Sequence, residues 1–521
     1  MPNDTIEMSP EQTRRVLLGL GLATWMEFYT FDAVNLVLPD MAGSFAVSQD
    51  EASWILTTFL SALFLTVPLA IWLAGHLSHL RYIIGCALLF VAASLGCALA
   101  QSFAFMLVCR ALEGVAGAGL AMWWRASIYL FIPRPQRSAS LMRISVMLYL
   151  STAAGLVFSG WVTDQFSWRC IFVPNVVFMA GAIWLLKNNF PRIDPPTDHR
   201  STHVDGIGIG LLGVSLVSLQ ILLSRGEVDG WWDSATIQAL AWTSAIALLG
   251  FIGWQLHSSN QARLLRLDLV TNRHVFAAIV LGMVAGIVIT GALFALPEFL
   301  RHVSPLHASA TRTGLVLCTY ALTAAAIRPL VTKSIGRWGQ RKALTFALTM
   351  LACSMFWMSR DMTIDTPDVY YVLPLMLYAF CLTPLLSAVG GGTVAKLDQT
   401  EQLDAVSVYM TFRQFGAALG VTLVSMVIDH RERLHSSRLL EHLHAGNVAM
   451  TDWLSRAASH LHGSGLPGGQ ANAGALKLLS EAASRQASTL AYADAFACMG
   501  ALGVLSLALV PLMAATPGAK R

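Results

Sequence analysis

Long apolar stretches alternate with short polar segments along the whole of this 521-residue chain. A helix of about 20 apolar residues crosses the roughly 30 Å hydrocarbon core of a bilayer. The pattern therefore predicts fourteen membrane-spanning helices. They cover residues 16–39, 54–74, 82–100, 103–131, 144–166, 171–187, 205–224, 235–256, 275–299, 314–331, 343–359, 369–392, 404–428 and 489–514.

Composition agrees with this pattern, since 55% of the residues are hydrophobic and 12% are charged. Soluble domains carry about 25% charged residues. With fourteen spans, the short loops on the side of the amino terminus hold most of the Lys and Arg residues, which favours a cytoplasmic position for both termini. The opposite short loops hold Arg169, Arg225, Arg301, Arg312 and Arg360. The cations thus predict an orientation in a bacterial inner membrane, and no nucleic-acid partner.

One long polar segment, residues 429–488, separates the last two predicted spans on the outer side. Its two halves are amphipathic, and a Gly/Pro/Ser break lies at 463–469, so we predict a helical hairpin with a flexible tip. Six of the fourteen His residues lie here, but two His residues spaced HxH point about 200° apart on a helix. We therefore expect a solvated helical face and no metal site. The six are His430, His435, His442, His444, His460 and His462.

Six ionisable residues fall within predicted spans, where a charge costs roughly 2.5–3.5 kcal/mol on insertion scales. A carboxylate that moves between an apolar cavity and the neighbourhood of an Arg changes its proton affinity, and such a residue can couple transport to protons. We therefore take all six as candidates for proton coupling or substrate binding. They are Glu27, Asp32, Arg110, Glu113, Arg125 and Arg413.

The roles of these ions stay open at this stage. Arg110 and Glu113 share one helix face and form either a proton-linked switch or a permanent structural bridge. Glu27 and Asp32 lie about 140° apart around their helix and cannot face one spot. Arg125 either binds an aromatic carboxylate beside two Trp residues or pairs with a first-helix carboxylate.

Five aromatic residues are candidates to line an apolar cavity, although aromatic stripes on helices more often serve packing alone. They are Trp25, Phe28, Tyr29, Trp123 and Trp124. A second group in a predicted loop is expected to act as a conformational latch against helix ends. It consists of Gly336, Arg337, Gly339 and Arg341. Arg328, just before Pro329, is expected to extend towards the cytoplasmic interface.

No cofactor is predicted, because the chain has neither a GxxxxGK[ST] phosphate loop nor an HExxH zinc motif. A nucleophile–base constellation is also missing, so we expect no enzyme activity. The eight Cys residues show no metal-ligand spacing and are expected to be small buried hydrophobes.

Six segments together resemble the EmrB/QacA-type fourteen-helix drug/proton antiporters of the major facilitator superfamily. In the first span Asn35, Leu38 and Pro39 match the family motif, whose Asp falls at Thr30 in this chain, and GRWGQRK (336–342) resembles its loop motif. GLVFSG (155–160) keeps the end glycines of the fifth-helix antiporter motif, with Leu156 for its Pro. The six segments are WMEFYTFDAVNLVLPDMAG (25–43), RALEGVAGAG (110–119), SGWVTDQFSWRCIFVPN (159–175), DGIGIGLLGVSLVSLQILLSRGEVDGWWDS (205–234), RQFGAALG (413–420) and RQASTLAYADAF (485–496).

The resemblance implies an all-α major facilitator fold with a six-helix bundle at 16–190, two inserted helices at 204–256 and a second bundle at 271–514. Residues 1–15 and 515–521 would be cytoplasmic. It also implies proton-coupled export of small amphipathic or aromatic compounds, with a periplasmic adaptor and an outer-membrane channel as partners. Two alternatives stay open: a proton-coupled importer of an organic anion, and a membrane scaffold or sensor that transports nothing.

Overall fold

The computed structural model describes the chain except for residues 1–8, 77–78, 133, 191–204, 227–228, 258–259, 261–264, 304–307, 395–398, 443–447, 465 and 514–521. For some helical residues, among them Trp123 and Arg125, only the backbone is described. The described residues form α-helices joined by short 3-10 and π-helical segments. The α-helices are α1 Pro10–Phe45, α2 Gln49–His76, α3 His79–Leu99, α4 Phe103–Phe131, α5 Arg134–Gln165, α6 Val173–Asn189, α7 Gly206–Arg225, α8 Ala235–Leu256, α9 Arg273–Glu298, α10 Ala310–Trp338, α11 Gln340–Asp361, α12 Val372–Val394, α13 Gln399–His442, α14 Val448–Gly463 and α15 Gly468–Ser506.

Fourteen of these helices correspond to the predicted spans. Among the described residues, twelve are long and apolar enough to cross a bilayer. The other two are α1, which carries Glu27, Asp32 and Asp40 within its length, and α2, whose apolar part is Glu51–Val67. The predicted all-α membrane fold is therefore confirmed, and α14 is an additional helix outside the predicted set.

The helices pack into two groups with an inserted pair. Helices α1 to α6 contact one another as an amino-terminal bundle, and α9 to α13 together with α15 form a carboxy-terminal bundle. The bundles meet mainly along two pairs of helices, α5 with α10 and α2 with α13, and α1 also contacts α9 and α10. Helices α7 and α8 pack on each other, and α7 also contacts α2 and α13. Two six-helix bundles plus two inserted helices is the arrangement that the sequence predicts.

Helices α13 and α15 are much longer than a bilayer is thick. They contain 44 and 39 residues, or about 66 Å and about 58 Å at 1.5 Å per residue. Their excess length and α14 lie at the end of the molecule where α1 terminates, which we call the distal face. There Arg431 Nε and His435 Nε2 both bind Asp494 Oδ2 at 2.6 Å, and the Ser488 hydroxyl donates to Glu432 at 2.7 Å. These bonds hold the distal parts of α13 and α15 together.

The predicted hairpin is helical, but it contains one more helix than a simple hairpin. Helix α13 continues to His442, α14 packs on α15, and the break between them falls at 464–467, within the predicted break at 463–469. Among the described residues no three His, Cys, Asp or Glu side chains gather as metal ligands. His435 binds a carboxylate instead, which accounts for its place on the helix.

Candidate proton and substrate site between the bundles

Asp32 lies where the two bundles meet. It is 3% exposed, and its Oδ2 accepts a 2.6 Å hydrogen bond from the Thr152 hydroxyl of α5. The Tyr320 hydroxyl, on α10 of the opposite bundle, lies close to the Asp32 carboxylate and interacts with it electrostatically. This carboxylate therefore interacts with both bundles, so its charge state affects a contact between them.

Polar aromatic side chains surround Asp32 on the carboxy-terminal side. The rings of Tyr320 and Tyr378 pack edge to face with their centroids 5.9 Å apart. Tyr378 is buried, and its hydroxyl makes no hydrogen bond to the described residues. Tyr149 of α5 interacts electrostatically with both tyrosines. The interface is thus lined by rings that carry hydrogen-bonding groups.

Arg328 does not follow the sequence-based expectation. It is half-buried, its Nη1 donates to the Thr383 carbonyl of α12 at 3.4 Å, and its charge interacts with the Tyr149 hydroxyl. The side chain therefore lies among α5, α10 and α12 instead of extending to the end of its helix. Helix α10 continues to Trp338, so Arg328 lies within the helix and has partners beside it.

The Arg110–Glu113 pair lies inside the amino-terminal bundle, and both side chains are fully buried. Arg110 Nη1 binds Glu113 Oε2 at 2.5 Å, and Arg110 Nε donates to the Ile55 carbonyl at 3.2 Å. The guanidinium also stacks 4.4 Å from the centre of the Phe59 ring. Glu113 accepts a second bond from the Ser94 hydroxyl. All these partners belong to α2, α3 and α4, so the pair does not bridge the bundles.

Polar side chains extend the Arg110–Glu113 pair towards α1. Asn175 of α6 donates to the Ser94 hydroxyl at 2.9 Å, and Thr30 of α1 donates to Asn175 at 2.9 Å. The resemblance places the family's first-helix Asp at Thr30. In this chain a neutral hydroxyl at that position joins a buried network, and Asp32 supplies the carboxylate at the interface.

Glu27 and the candidate aromatic residues lie mainly in the amino-terminal bundle. The buried Glu27 side chain packs against Gly117 of α4, so it faces away from Asp32, as the 140° separation requires. The Tyr29 hydroxyl donates to the Ile171 carbonyl at 2.9 Å. Trp124 is buried, whereas Trp25 and Phe28 are partly buried against the same core. The side chains of Trp123 and Arg125 lie outside the described residues.

The remaining candidates lie in the carboxy-terminal bundle. Arg413 of α13 is half-buried, and its backbone packs closely on Gly286 of α9. Arg341 donates to the carbonyls of Met513 and Pro511 at 2.9 and 2.8 Å. Gly339 caps α11 with φ of 80°, a conformation that glycine adopts without strain. Gly336 and Arg337 belong to the last turns of α10.

Contacts on the distal face close the two bundles against each other. Asp40 of α1 forms a bidentate pair with Arg301, in the π-helical segment after α9, and the Nη2–Oδ1 distance is 2.9 Å. Asp164 of α5 accepts from the backbone N–H groups of Ala310 and Thr311, at 3.1 and 2.8 Å. Both sets of bonds must break before the distal face can open.

The two end glycines of GLVFSG explain why α5 packs so tightly. A Cβ at Gly160 would overlap the backbone of Ala310 in α10, and one at Gly155 would crowd Tyr29 of α1. On the facing helix, a Cβ at Gly314 would overlap the Leu156 carbonyl oxygen. Glycine at these positions therefore lets α5 approach α10 backbone to backbone. Leu156 itself replaces the motif's Pro without preventing that approach.

Comparison with known proteins identifies the family. The sequence matches the Major Facilitator Superfamily over residues 20–421, and the chain belongs to that superfamily. It is 23% identical over 431 residues to the multidrug export protein EmrB of Escherichia coli K12, covering 82% of this chain and 83% of that protein. It is 25% identical over 462 residues to the fatty acid resistance protein FarB of Neisseria gonorrhoeae, covering 87% and 88%.

Solved structures share the fold. A bacterial homolog of the human lysosomal transporter Spinster, in an inward-facing and occupied conformation, matches with a TM-score of 0.60 at 14% identity, covering 97% of each chain. The chain is therefore a multi-pass membrane transporter with the fold that the sequence predicts.

Proposed function

We propose that this protein exports small amphipathic or aromatic compounds in exchange for protons, with Asp32 as the proton-binding carboxylate. The observation that carries the proposal is the position of Asp32. Its carboxylate accepts a hydrogen bond from Thr152 of the amino-terminal bundle and lies close to the Tyr320 hydroxyl of the carboxy-terminal bundle. Alternating access of the two bundles around a central site is how this fold moves its substrates.

Protonation of Asp32 changes the contact between the bundles. An ionised carboxylate accepts charge-assisted hydrogen bonds, each worth about 1.5–3 kcal/mol, whereas a neutral one accepts weaker bonds. Proton binding thus weakens the attraction between Asp32 and the Tyr320 hydroxyl and lowers the cost of separating α1 from α10. Loss of the proton restores this attraction, so the two charge states favour different arrangements of the bundles.

The surroundings of Asp32 support an amphipathic substrate. Tyr149, Tyr320 and Tyr378 offer flat apolar faces together with hydroxyl groups. Arg328 adds a cation in the same region, which suits an anionic head group. The names of the relatives, a multidrug export protein and a fatty acid resistance protein, agree with substrates of this kind.

The positive charges in the loops support an orientation of the chain in the membrane, and the helical hairpin formed by α13, α14 and α15 supports a set of partners. The excess of loop cations on the amino-terminal side favours a cytoplasmic position for both termini in a bacterial inner membrane, which makes the distal face periplasmic. The extensions of α13 and α15 with α14 then project into the periplasm, where they offer a docking surface for an adaptor protein. An outer-membrane channel would complete a tripartite pump.

Arg328 also favours one alternative, a proton-coupled importer of an organic anion. The direction of transport separates the two functions. Proteoliposomes loaded with a pH-sensitive dye would be exposed to a cationic dye, a C12 fatty acid or an aromatic acid, and both proton and substrate fluxes would be recorded. Exchange predicts opposite directions for the two fluxes, whereas symport predicts the same direction.

Two variants sharpen this experiment. Asp32→Asn is expected to abolish substrate-dependent proton flux, whereas Asp233→Asn, which neutralises an exposed carboxylate between α7 and α8, is expected to leave it unchanged. Equal proton flux in Asp32→Asn and the parent would refute the role of Asp32. If no substrate moves and no variant has a phenotype, the protein is a scaffold or sensor.

A further inference from the structure

The inserted helix α7 buries one stripe of side chains. Leu212, Leu216 and Gln220 are four residues apart, so they share one helix face, and all three are buried. The two leucines cluster with Phe64 of α2 and Val408 of α13. Helix α7 therefore packs against both bundles where α2 meets α13.

Gln220 is the polar residue at the end of this stripe, and its amide interacts with both bundles. It is 3% exposed. Its Oε1 accepts a 2.7 Å hydrogen bond from the Ser61 hydroxyl of α2, and its Nε2 donates to the Ala418 carbonyl of α13 at 3.4 Å. One side chain of the inserted pair thus links the amino-terminal bundle to the carboxy-terminal one.

An aromatic contact across the same interface lies one turn away. Phe64 follows Ser61 by three residues, and Phe415 precedes Ala418 by three. Because α2 and α13 run in opposite directions, these two steps lead the same way along the interface. The ring centroids of Phe64 and Phe415 are 5.5 Å apart. The amide link is therefore part of a continuous contact between α2 and α13.

The Ser61 hydroxyl also has a second possible hydrogen-bond acceptor, on its own helix. A hydroxyl carries one hydrogen, and the Ser61 hydroxyl lies 2.6 Å from the Thr57 carbonyl of its own helix as well as near Gln220. Ser61 therefore keeps a partner if α2 moves away from α7. Among the described residues the Gln220 amide has no such local alternative, so separation of the bundles leaves part of it unsatisfied in an apolar region.

We propose that Gln220 is a positioning residue that tethers α2 to α13 and favours the distally closed arrangement. The proposal rests on the alternation of the two bundles in the proposed function. The tether and the closed distal contacts occur in the same structure, so loss of the tether should increase the population with an open distal face. In this way the inserted helices bias the transport cycle.

The test measures the distance across the distal face by double electron–electron resonance. Spin labels at Phe166→Cys, after α5, and Tyr370→Cys, before α12, report on opposite bundles, and both sites are exposed at 70% and 64%. The eight native Cys residues are replaced first, and this background must transport the C12 fatty acid like the parent. Distances are recorded without substrate or pH gradient, so failure of proton coupling does not affect the result.

Gln220→Leu removes the amide while keeping a similar volume, and Gln220→Asn keeps an amide that is one carbon too short to reach both partners. Both are expected to raise the ratio of long to short distal distances by about twofold to tenfold, the factor that corresponds to the net contribution of a hydrogen bond. Ser61→Ala should shift the ratio in the same direction. If the Gln220 variants fail to fold, the distances in Ser61→Ala test the proposal in their place.

Ser215→Ala is the matched control, because Ser215 exchanges hydrogen bonds of 3.1 and 3.0 Å with Ser244 of α8 and touches neither bundle through them. It should leave the distances unchanged. The same distances in Gln220→Leu and the parent would overturn the proposal, and so would equal shifts in Gln220→Leu and Ser215→Ala. In a transport assay, the tether predicts an altered maximal rate with a smaller change in the apparent KM.

Discussion

The Arg110–Glu113 pair allows a test of whether a buried ion pair only stabilises the fold or also takes part in proton coupling. Among the described residues, the hydrogen-bond and ion-pair partners of the two side chains all lie within the amino-terminal bundle. When two bundles rock as rigid bodies, contacts inside one bundle are preserved. The structure therefore favours a permanent bridge over a proton-linked switch, and we predict that the pair contributes to stability and not to coupling.

Glu113→Gln removes one charge and leaves the Arg110 guanidinium buried without its counterion. Both side chains are 0% exposed, so water cannot compensate. Breaking a buried pair in this way costs about 3–5 kcal/mol. Replacing both members, as Arg110→Met with Glu113→Leu, removes both desolvated charges. This double variant is expected to be near the parent in stability, because well-packed apolar substitutes for buried pairs are often neutral or stabilising.

The assay is unfolding of the purified protein in mixed micelles, combined with gradient-driven transport at several pH values. We expect Glu113→Gln to unfold much more readily and the double variant to recover, while the pH dependence of transport stays that of the parent. The reasoning is refuted if Glu113→Gln is as stable as the parent and its transport no longer responds to pH.

Three further predictions address closure and assembly. Asp40→Asn, which weakens the pair with Arg301, should raise the population with an open distal face about threefold or more, measured by the same distance experiment. Gly314→Leu, whose side chain would overlap the Leu156 carbonyl, should lower the transport rate at least about tenfold without loss of membrane insertion; a parental rate would contradict this. Asp205→Ala removes the cap of α7 and should cost about 1–2 kcal/mol at neutral pH in an unfolding assay. Burial raises the pKa of Asp205, but hydrogen bonds from the Gly208 N–H and three side chains outweigh it and hold the pKa below its usual range. This stabilisation is complete above the unfolded pKa of about 3.9 and is lost as pH falls through the lower folded pKa, so the parent should approach the stability of Asp205→Ala in acid; a constant difference would contradict the assignment.

The architecture could be predicted from the sequence because each span is specified locally. About twenty apolar residues in a row have few alternatives to a membrane helix, and the count of fourteen follows from reading them in order. Residues 429–463 were predicted as one arm of a helical hairpin, whereas the structure divides this arm between the end of α13 and the separate helix α14.

The site was only partly predictable, because it depends on which helix faces meet. Asp32 could be found from the cost of a charge inside a span. Thr152, Tyr320 and Tyr378 were missed, since placing a tyrosine or a hydroxyl residue in a span costs little free energy and such residues are common there. Their shared position near mid-span was the available signal, but it does not show that three separate helices meet.

Arg328 was misplaced for a related reason. A cation before a proline near the end of an apolar stretch is expected to extend to the interface, and the sequence does not reveal that α10 continues for ten more residues. The role of Gln220 also depends on packing, because its two partners lie 159 and 198 residues away along the chain. Such contacts between distant segments are not encoded in local patterns.

We propose that proton binding at Asp32 controls the contact between the two bundles, and the Asp32→Asn variant tests this role. Substrate counterflow, which needs alternation but no proton movement, would be compared with accumulation driven by a pH gradient in the same proteoliposomes. We expect Asp32→Asn to retain counterflow within about threefold while gradient-driven accumulation is lost, because an amide cannot bind and release the proton. Gradient-driven accumulation at the parental rate, with the parental pH dependence, would contradict it.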